Sequence, residues 1–471
     1  MKTASSHLVR QIGLASGVAV VVGSTIGSGI FKTPSRIATS LPGPLPMLMV
    51  WVVGGLIVLC GALSLAEVGS AYPYSGGLYV YLREAYGRQI GFLFGWAQLM
   101  LLRPAGVGAL AIVCGQYALR LVGLTDDSPN FAWYTAGFAF VAIALVTGAN
   151  IAGVKFGTFI QNITTVAKSA GLLVLIVLAL VLAGSTGGAH FTPAAPAGSF
   201  SFSAFGLALV SILWAYDGWA DGTYVGGEMK DPSRTLPRAI LIGTLAVIAL
   251  YLLANVAYLM VFDVQQMSKS GMIAATAMEK LVGSWGVLFI TATVVISTLG
   301  TLNGTVLTSP RVFFALAEDK LFFPSLASVH PKFKTPHVAV ALCGALGASY
   351  VVVATFLTKS KAFEALTDAF VIGIVPFYAL SVISVFVFRR RQGGKPLVGE
   401  DSLPAEGEPH QYAPTTRVPL YPLLPVVFAA ACAFLLGASL LDAGSRVPTL
   451  ITLGVLVAGI PVYRLIFRRT A

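Results

Sequence analysis

The sequence predicts an all-α polytopic membrane protein, on three observations. Of its 471 residues, 56% are hydrophobic and only 10% are charged, against about 25% charged residues in an ordinary soluble domain. The mean hydropathy is +0.83. Apolar runs long enough to cross a bilayer, which takes about 20 residues, recur along the whole chain. The longest polar stretch, 389–418, is too short to form a separate soluble domain.

Twelve apolar runs are separated by short loops, so we expect 12 membrane spans. The predicted core covers 12–388, with spans 1–5 at about 12–183 and spans 6–10 at about 203–388. Accessory spans 11 and 12 occupy 419–467, and the tail 1–11, the loop 389–418 and the C-terminus 468–471 are expected in the cytosol. The runs lie at 12–38, 45–72, 89–122, 131–150, 156–183, 203–229, 238–262, 284–316, 337–358, 364–388, 419–442 and 446–467.

The basic residues are distributed unevenly over this topology. With both termini inside, seven of the 30 Lys and Arg residues lie in external segments and three within spans (Lys32, Arg103 and Lys168), which leaves 20 on the cytosolic side. This asymmetry follows the positive-inside rule and predicts cytosolic termini. It also accounts for the net charge of +11 without nucleic-acid binding.

The reactive side chains do not form the pattern of an enzyme or a channel. The four cysteines lie inside apolar runs, and the five histidines lie in tails, loops or helix ends, without metal-site spacing. We therefore expect no metal and no cofactor. A base paired with a nucleophile is not visible at membrane depth, and neither is the continuous polar lining of a channel.

Spans 1 and 6 carry weak helix formers at mid-depth. The stretch "VGSTIGSGIFKTP" (22–34) interrupts span 1, and "WAYDGWADG" (214–222) interrupts span 6. Glycine in a helix interior costs about 1 kcal/mol relative to alanine. Helices interrupted at corresponding positions of two halves point to the central site of a transporter. Close helix packing is the alternative explanation, but the second break, five spans later, favours a five-plus-five inverted repeat.

The ends of a broken helix present opposite partial charges. The N–H groups at a helix start attract a carboxylate, and the carbonyls at a helix end attract an ammonium. A zwitterionic α-amino acid carries both groups on one carbon, so we predict that N–H groups of span 1 and the Ser28 hydroxyl bind its carboxylate. Carbonyls of Trp214, Ala215 and Asp217 are expected to bind its ammonium. The predicted substrate-binding residues are Thr25, Ile26, Gly27, Ser28, Gly29, Trp214, Ala215, Tyr216, Asp217 and Gly218.

Charged residues at membrane depth need partners. A lysine at the centre of a spanning helix costs roughly 2.5–3.5 kcal/mol on insertion scales. Lys168 in span 5 is predicted to act in coupling: it either replaces a sodium ion, by bridging the carbonyls freed in span 1 to span 8, or carries a transported proton. Arg103 is expected to cap the carbonyl freed by Pro104. Asp217 selects a cationic side chain, pairs with Lys168, or points into a neighbouring helix. Glu67, at the cytosolic end of span 2, is assigned to gate or loop architecture.

Five stretches resemble the amino acid–polyamine–organocation superfamily and, within it, the L-type amino acid transporter branch. They are "GSTIGSGIF", "AEVGSAYPYSGGLYVYL", "LLRPAGVGAL", "LWAYDGWADGTYVGGEMKDPSRTLPRAI" and "GTLNGTVLTSPRVFFAL". The similarity covers nearly the whole chain in order, and the span-6 stretch looks most like bacterial serine/threonine exchangers.

The resemblance implies a LeuT-like fold with two accessory C-terminal helices, and sodium-independent exchange by alternating access. It places the family's span-1 loop on Thr25–Gly29, its aromatic gate on Trp214 and its span-5 lysine on Lys168. Eukaryotic members carry a cysteine between spans 3 and 4 that links to a heavy chain. The stretch "VGLTDDSPNFAW" has no cysteine, so no disulfide-linked heavy chain is expected, and a bacterial inner (cell) membrane fits better.

The resulting expectation is a sodium-independent exchanger of small neutral L-amino acids, with the amino acid and the lipid bilayer as its partners. The alternative is proton-coupled uptake of cationic amino acids or polyamines, which Asp217 suggests. The identity of the amino acid depends on the shape of the pocket among spans 1, 3, 6, 8 and 10.

Overall fold

The computed structural model describes residues 12–74, 76–125, 127–186, 190–333, 335–391 and 412–467. The predicted N-terminal tail, residues 392–411 of the predicted cytosolic loop and the C-terminus at 468–471 lie outside these ranges.

Within the described residues, eleven helices are long and apolar enough to cross a membrane, and the two half-helices of span 1, bent by 43°, pass the same test together. Counting that pair as one span gives the twelve predicted spans. Their bounds are 1a Leu14–Thr25, 1b Gly29–Ser40, 2 Pro44–Ala71, 3 Arg88–Leu121, 4 Phe131–Ala152, 5 Val154–Leu182, 6a Phe202–Tyr216, 6b Asp221–Glu228, 7 Pro232–Val261, 8 Ser284–Glu318, 9 His337–Thr358, 10 Ala362–Arg391, 11 Leu423–Leu441 and 12 Ala443–Phe467.

Shorter helices connect the spans, and strand pairing in the described part is limited to one isolated bridge between Ile12 and Met229. The connecting α-helices are Leu78–Tyr86, Val264–Ser268 and Ile273–Val282, and short 3-10 turns lie at Ala183–Thr186, Pro324–Ala327 and Lys359–Lys361.

Span 7 begins at Pro232, six residues before the predicted start at 238. Proline is well suited to the first position of a helix, because its missing N–H would have no partner there. A second proline, Pro237, leaves the carbonyl of Ser233 without its usual donor. The hydroxyl of Thr415 donates to that carbonyl at 2.6 Å, so a contact from a distant segment allows the early start.

The helices pack as a five-plus-five repeat predicts. Spans 2 and 7, spans 3 and 8, and spans 4 and 9 pack against each other, as do half-helices 1b and 6a. Span 11 packs against spans 2, 6a and 10, outside this arrangement. The pairing of spans 1 to 4 with the spans five positions later brings the two broken spans together.

Glu67 fastens the segment that precedes span 11. Its carboxylate is fully buried and accepts from Arg389 Nε at 2.8 Å and Nη2 at 2.6 Å. The hydroxyl of Tyr412 and the backbone N–H of Val418 donate to it as well, each at 2.7 Å. Burial, followed by the negative charge of Glu67, raises the pKa of Tyr412 far above its ordinary value, so this hydroxyl stays a donor. Glu67 therefore belongs to loop architecture and does not line the central cavity.

Candidate functional site

The breaks of spans 1 and 6 lie in direct contact. A Cβ atom added to Gly29 would lie 2.5 Å from the Cα of Ala215, and one added to Gly218 would lie 2.6 Å from the carbonyl carbon of Ser24. Gly218 also has φ of 109°, a conformation that favours glycine. Ser24 contacts Gly218, and the later residue Gly29 contacts the earlier residue Ala215. The two spans therefore run antiparallel. The glycines are therefore needed for close backbone approach as well as for unwinding.

The N–H groups available at the span-1 break differ in part from the prediction. Half-helix 1a ends at Thr25, and the N–H of Ile26 closes its last turn by donating to Val22 at 2.9 Å. These two residues thus continue the helix and do not offer free N–H groups. In the described part of the chain, the N–H groups of residues 27–29 have no acceptor. The Ser28 hydroxyl, only 1% exposed, is also without a partner there.

The ammonium of Lys168 bridges the span-1 break to span 8. Lys168 is fully buried, and its Nζ donates to the carbonyl of Gly23 and, at 3.0 Å, to the Thr301 hydroxyl. The Gly23 carbonyl is one of those that a helix end leaves without an intrahelical donor. A fixed ammonium therefore lies where the sequence predicted a replacement for a cation.

Hydroxyl groups satisfy the next carbonyls of the break. The hydroxyl of Tyr251, on span 7, donates to the carbonyl of Thr25 at 2.8 Å. The hydroxyls of Thr301 and Ser297, on span 8, lie 3.4 and 3.5 Å from the carbonyl of Ile26. The carbonyl side of the span-1 break is thus held by spans 5, 7 and 8, while its N–H side faces the cavity.

The span-6 break leaves a different set of carbonyls free. The Trp214 carbonyl accepts from the N–H of Asp217 at 3.1 Å, and Asp217 leaves the helical conformation with ψ of 147°. The carbonyls of Ala215 and Tyr216 receive no donor from the described residues. The Asp217 carbonyl, which was also predicted to bind the ammonium, has no donor among the described residues either. The free acceptors therefore lie at 215–217, close to the N–H groups of residues 27–29, and not at Trp214.

The side chain of Asp217 contacts a neighbouring span. Its Oδ1 accepts from the hydroxyl of Tyr378, on span 10, at 2.6 Å. Of the three roles that the sequence left open, this is the contact with a neighbouring helix. The ammonium of Lys168 is directed at Gly23 and Thr301 instead. Asp217 nevertheless lines the central cavity.

Arg103 does not cap the carbonyl that the following proline frees. The freed carbonyl is that of Met100, and it accepts a hydrogen bond from the hydroxyl of Tyr350 on span 9. The Nε of Arg103 donates to Gln98 at 2.7 Å, and its guanidinium carbon lies 5.7 Å from the centre of the Tyr224 ring. Arg103 also lines the cavity, so the predicted capping role is wrong.

The two breaks border one side of a central cavity. The cavity offers about 50 Å³ to the centre of a water-sized sphere, several times the roughly 10–15 Å³ that one water needs. Among the described residues, no group of three or more His, Cys, Asp or Glu could hold a metal ion. The lining residues are Ser24, Thr25, Gly27, Ser28, Gly29, Leu102, Arg103, Gly106, Leu110, Trp214, Asp217, Asp221, Thr301, Gly304, Thr305 and Phe370.

Aromatic side chains cover the cavity on the predicted external side. The indole of Trp214 meets the rings of Phe370 and Phe363 edge to face, with centroids 5.2 and 6.2 Å apart. Beyond them, Arg36 on half-helix 1b pairs with Asp368 on span 10 through two hydrogen bonds of 2.7 Å. A ligand in the cavity is therefore separated from this side by a ring cluster and an ion pair.

Free N–H groups and free carbonyls thus meet where two antiparallel broken helices contact each other. This arrangement defines a secondary transporter whose central site lies between two repeats. The chain belongs to the amino acid permease family, whose profile matches residues 12–460. The resemblance to the amino acid–polyamine–organocation superfamily is thereby confirmed.

Curated relatives support the same assignment. The serine/threonine exchanger SteT of Bacillus subtilis (strain 168) is 34% identical over 466 residues, 98% of each chain. The b(0,+)-type amino acid transporter 1 of Homo sapiens is 30% identical over 387 residues, 82% of this chain and 77% of that protein. The large neutral amino acids transporter small subunit 2 of Homo sapiens is 33% identical over 334 residues, 70% of this chain and 62% of that protein.

Sequence reasoning missed the side chains that satisfy the breaks from other spans. Tyr251 and Tyr378 stand in apolar runs without a distinguishing pattern. Ser297 and Thr301 carried a signal, because hydroxyls four residues apart share one face of a helix at membrane depth. A search for such pairs in span 8 would have found them.

Proposed function

We propose that this protein exchanges small neutral L-amino acids across the membrane by alternating access. One observation carries the proposal: the free N–H groups of residues 27–29 lie beside the free carbonyls of Ala215 and Tyr216. A carboxylate and an ammonium on the same carbon match this pair of helix ends. The relatives, which include a serine/threonine exchanger, support the same substrate class.

We infer that transport does not require sodium. A bound cation would take the carbonyls that end half-helix 1a, and the Lys168 ammonium already donates to Gly23 and to Thr301. The lysine side chain cannot leave the protein. A site that it occupies therefore cannot couple transport to a sodium gradient. Exchange of one amino acid for another is the simplest cycle that follows.

The charge of the cavity supports a second candidate. Asp217 and Asp221 line it together with one basic residue, Arg103, which gives the lining a formal excess of one negative charge. Proton-coupled uptake of cationic amino acids or polyamines would use that charge. The hydrogen bond from Tyr378 to Asp217 stabilises the carboxylate without a substrate cation, and for this reason we favour neutral substrates.

Radiolabelled uptake into proteoliposomes separates these possibilities. We expect L-serine or L-threonine to enter vesicles preloaded with the same amino acid and not empty vesicles, at equal rates in sodium and choline buffers. Sodium-driven accumulation would refute sodium independence. Uptake of lysine or polyamines into empty vesicles under an inward proton gradient would favour the second candidate.

The cellular setting is also a proposal. We infer a bacterial inner membrane, cytosolic termini and a transporter core at 12–388 that works without a disulfide-linked heavy chain. Exchange by the purified single chain would support the last point, and a strict need for a second protein would contradict it. Cysteine labelling of an engineered site at position 446, expected outside, tests the orientation.

A further inference from the structure

The space left for the substrate side chain is bounded by spans 3, 8 and 10. In the proposed function, residues 27–29 bind the carboxylate of the substrate and residues 215–216 bind its ammonium. These two charged groups then lie against the two breaks. The side chain then points to the opposite wall. Apart from Leu110 and Thr301, which lie beside Gly27 at the span-1 break, the lining residues from these spans are Leu102, Arg103, Gly106, Gly304, Thr305 and Phe370.

Gly106 is the position on span 3 where this wall lacks a side chain. A Cβ atom added to Gly106 would meet two ring carbons of Phe370 at 3.5 Å, an ordinary contact, and nothing else within 4 Å. Since Gly106 and Phe370 both line the cavity, that Cβ atom would stand beside the ring at the edge of the cavity. The empty space at Gly106 thus adjoins the space for the substrate.

A nearby glycine on the same span shows what a packing glycine looks like. A Cβ atom added to Gly108 would lie 3.0 Å from Leu366 and 3.4 Å from Val351, so neighbouring helices occupy its surroundings. Glycine in a helix interior costs about 1 kcal/mol relative to alanine. Helix packing accounts for glycine at 108. It does not account for glycine at 106, where alanine fits without a clash.

We propose that Gly106, with Phe370 behind it, sets the upper size limit of the substrate side chain. The inference rests on the proposed function, because it takes the orientation of the substrate from the two breaks. A methyl group at position 106 would occupy space that a branched or longer side chain needs. Selectivity for one methylene group in a pocket is typically about 10- to 200-fold, so one methyl group is enough to change the substrate range.

The test compares substrate preferences of the wild type and three variants by competition in counterflow. Unlabelled glycine, alanine, serine, threonine, valine and leucine compete with labelled substrate. We expect Gly106→Ala to weaken threonine and valine relative to glycine and alanine by about tenfold or more. Phe370→Leu should shift the preference the other way, towards valine and leucine. Gly148→Ala, at an exposed glycine with no atom within 4 Å of the added Cβ, is the matched control and should keep the wild-type order.

An unchanged order of competitors in Gly106→Ala would overturn the proposal. If Gly106→Ala does not reach the membrane, Phe370→Leu decides, and an unchanged order in that variant overturns the proposal too. For any variant that folds but does not transport, thermal stabilisation of the purified protein by the same amino acids gives the same ratios. Absence of exchange by the wild type would refute the proposed function, which is a separate outcome.

Discussion

The two broken spans solve the same problem with different partners. At the span-1 break, a buried ammonium and three hydroxyls from spans 5, 7 and 8 surround the carbonyls. At the span-6 break, the principal side-chain contact is the hydrogen bond from Tyr378 of span 10 to Asp217. The first break is therefore anchored to the rest of the bundle and presents its N–H groups in a fixed place. The second break depends on span 10, which also carries the rings against Trp214.

Removal of the lysine that anchors span 1 should have a large effect on exchange. Lys168→Ala leaves the Gly23 carbonyl buried without a donor, and a hydrogen bond from a charged group is worth about 1.5–3 kcal/mol. We expect exchange to fall at least about 100-fold, because a mispositioned break also loses the substrate site. Counterflow measures the loss.

Lys280→Ala is the matched control for that variant. Its Nζ also donates to a carbonyl at a helix end, that of Val261, at 2.7 Å, but it lies away from the cavity. Exchange by Lys280→Ala should stay near the wild-type rate. Full activity of Lys168→Ala would show that the span-1 break needs no ammonium.

Two glycines of span 1 distinguish helix contact from substrate contact. A Cβ atom at Gly29 meets the backbone of Ala215 at 2.5 Å, whereas one at Gly27 meets Thr301 at 3.5 Å. Gly29→Ala should therefore force the breaks apart, abolish exchange and lower the melting temperature by several degrees, about 4 °C or more. Gly27→Ala should keep the melting temperature and raise the KM for substrate.

This contrast changes the expected result for Gly29→Val. Considered alone, the sequence of span 1 predicts that a bulky side chain at position 29 excludes the substrate and leaves folding largely intact. The contact with Ala215 predicts a loss of stability as well, so Gly27→Ala is the cleaner test of the carboxylate site at these two glycines. Equal melting temperatures of Gly29→Ala and Gly27→Ala would contradict this account.

The link between span 6 and span 10 should have an intermediate effect. Tyr378→Phe removes only the hydroxyl that donates to Asp217, and the loss of such a bond corresponds to about a tenfold or larger fall in exchange. Asp217→Asn keeps an acceptor oxygen and should lose less. If Asp217 selects a cationic side chain instead, Asp217→Asn will change the preference between lysine and serine, and Tyr378→Phe will not.

Ser28→Ala should have the smallest effect on exchange. The Ser28 hydroxyl is buried without a partner in the described part of the chain, so its removal costs no hydrogen bond in the empty protein. We expect an unchanged melting temperature and a KM raised about tenfold, as for one hydrogen bond to a charged group. Ser384→Ala, whose hydroxyl donates to Ser381 at 2.6 Å, should leave the KM unchanged. An unchanged KM in Ser28→Ala would remove this hydroxyl from the site.

The amino-acid sequence alone predicts the membrane class, the twelve spans, the two breaks and the need for a partner at Lys168. Each of these follows from local chemistry: hydrophobic length, the weak helix propensity of glycine, and the cost of a charge in the bilayer. The family resemblance pointed to the same residues, 25–29 and 214–218. Local pattern alone did not show which N–H groups stay free, because that depends on where half-helix 1a takes its last hydrogen bond.

Only the tertiary structure decided how the distant spans meet. It brought Tyr378 to Asp217, gave the carbonyl of Met100 to Tyr350 rather than Arg103, and separated the cavity glycine Gly106 from a packing glycine two residues later. These outcomes depend on side chains that lie far apart in the chain. The sequence of one span does not show which other span each of its faces contacts. The hydrogen bonds of a buried site depend on which donor lies close to each acceptor, and the packing of the helices determines this.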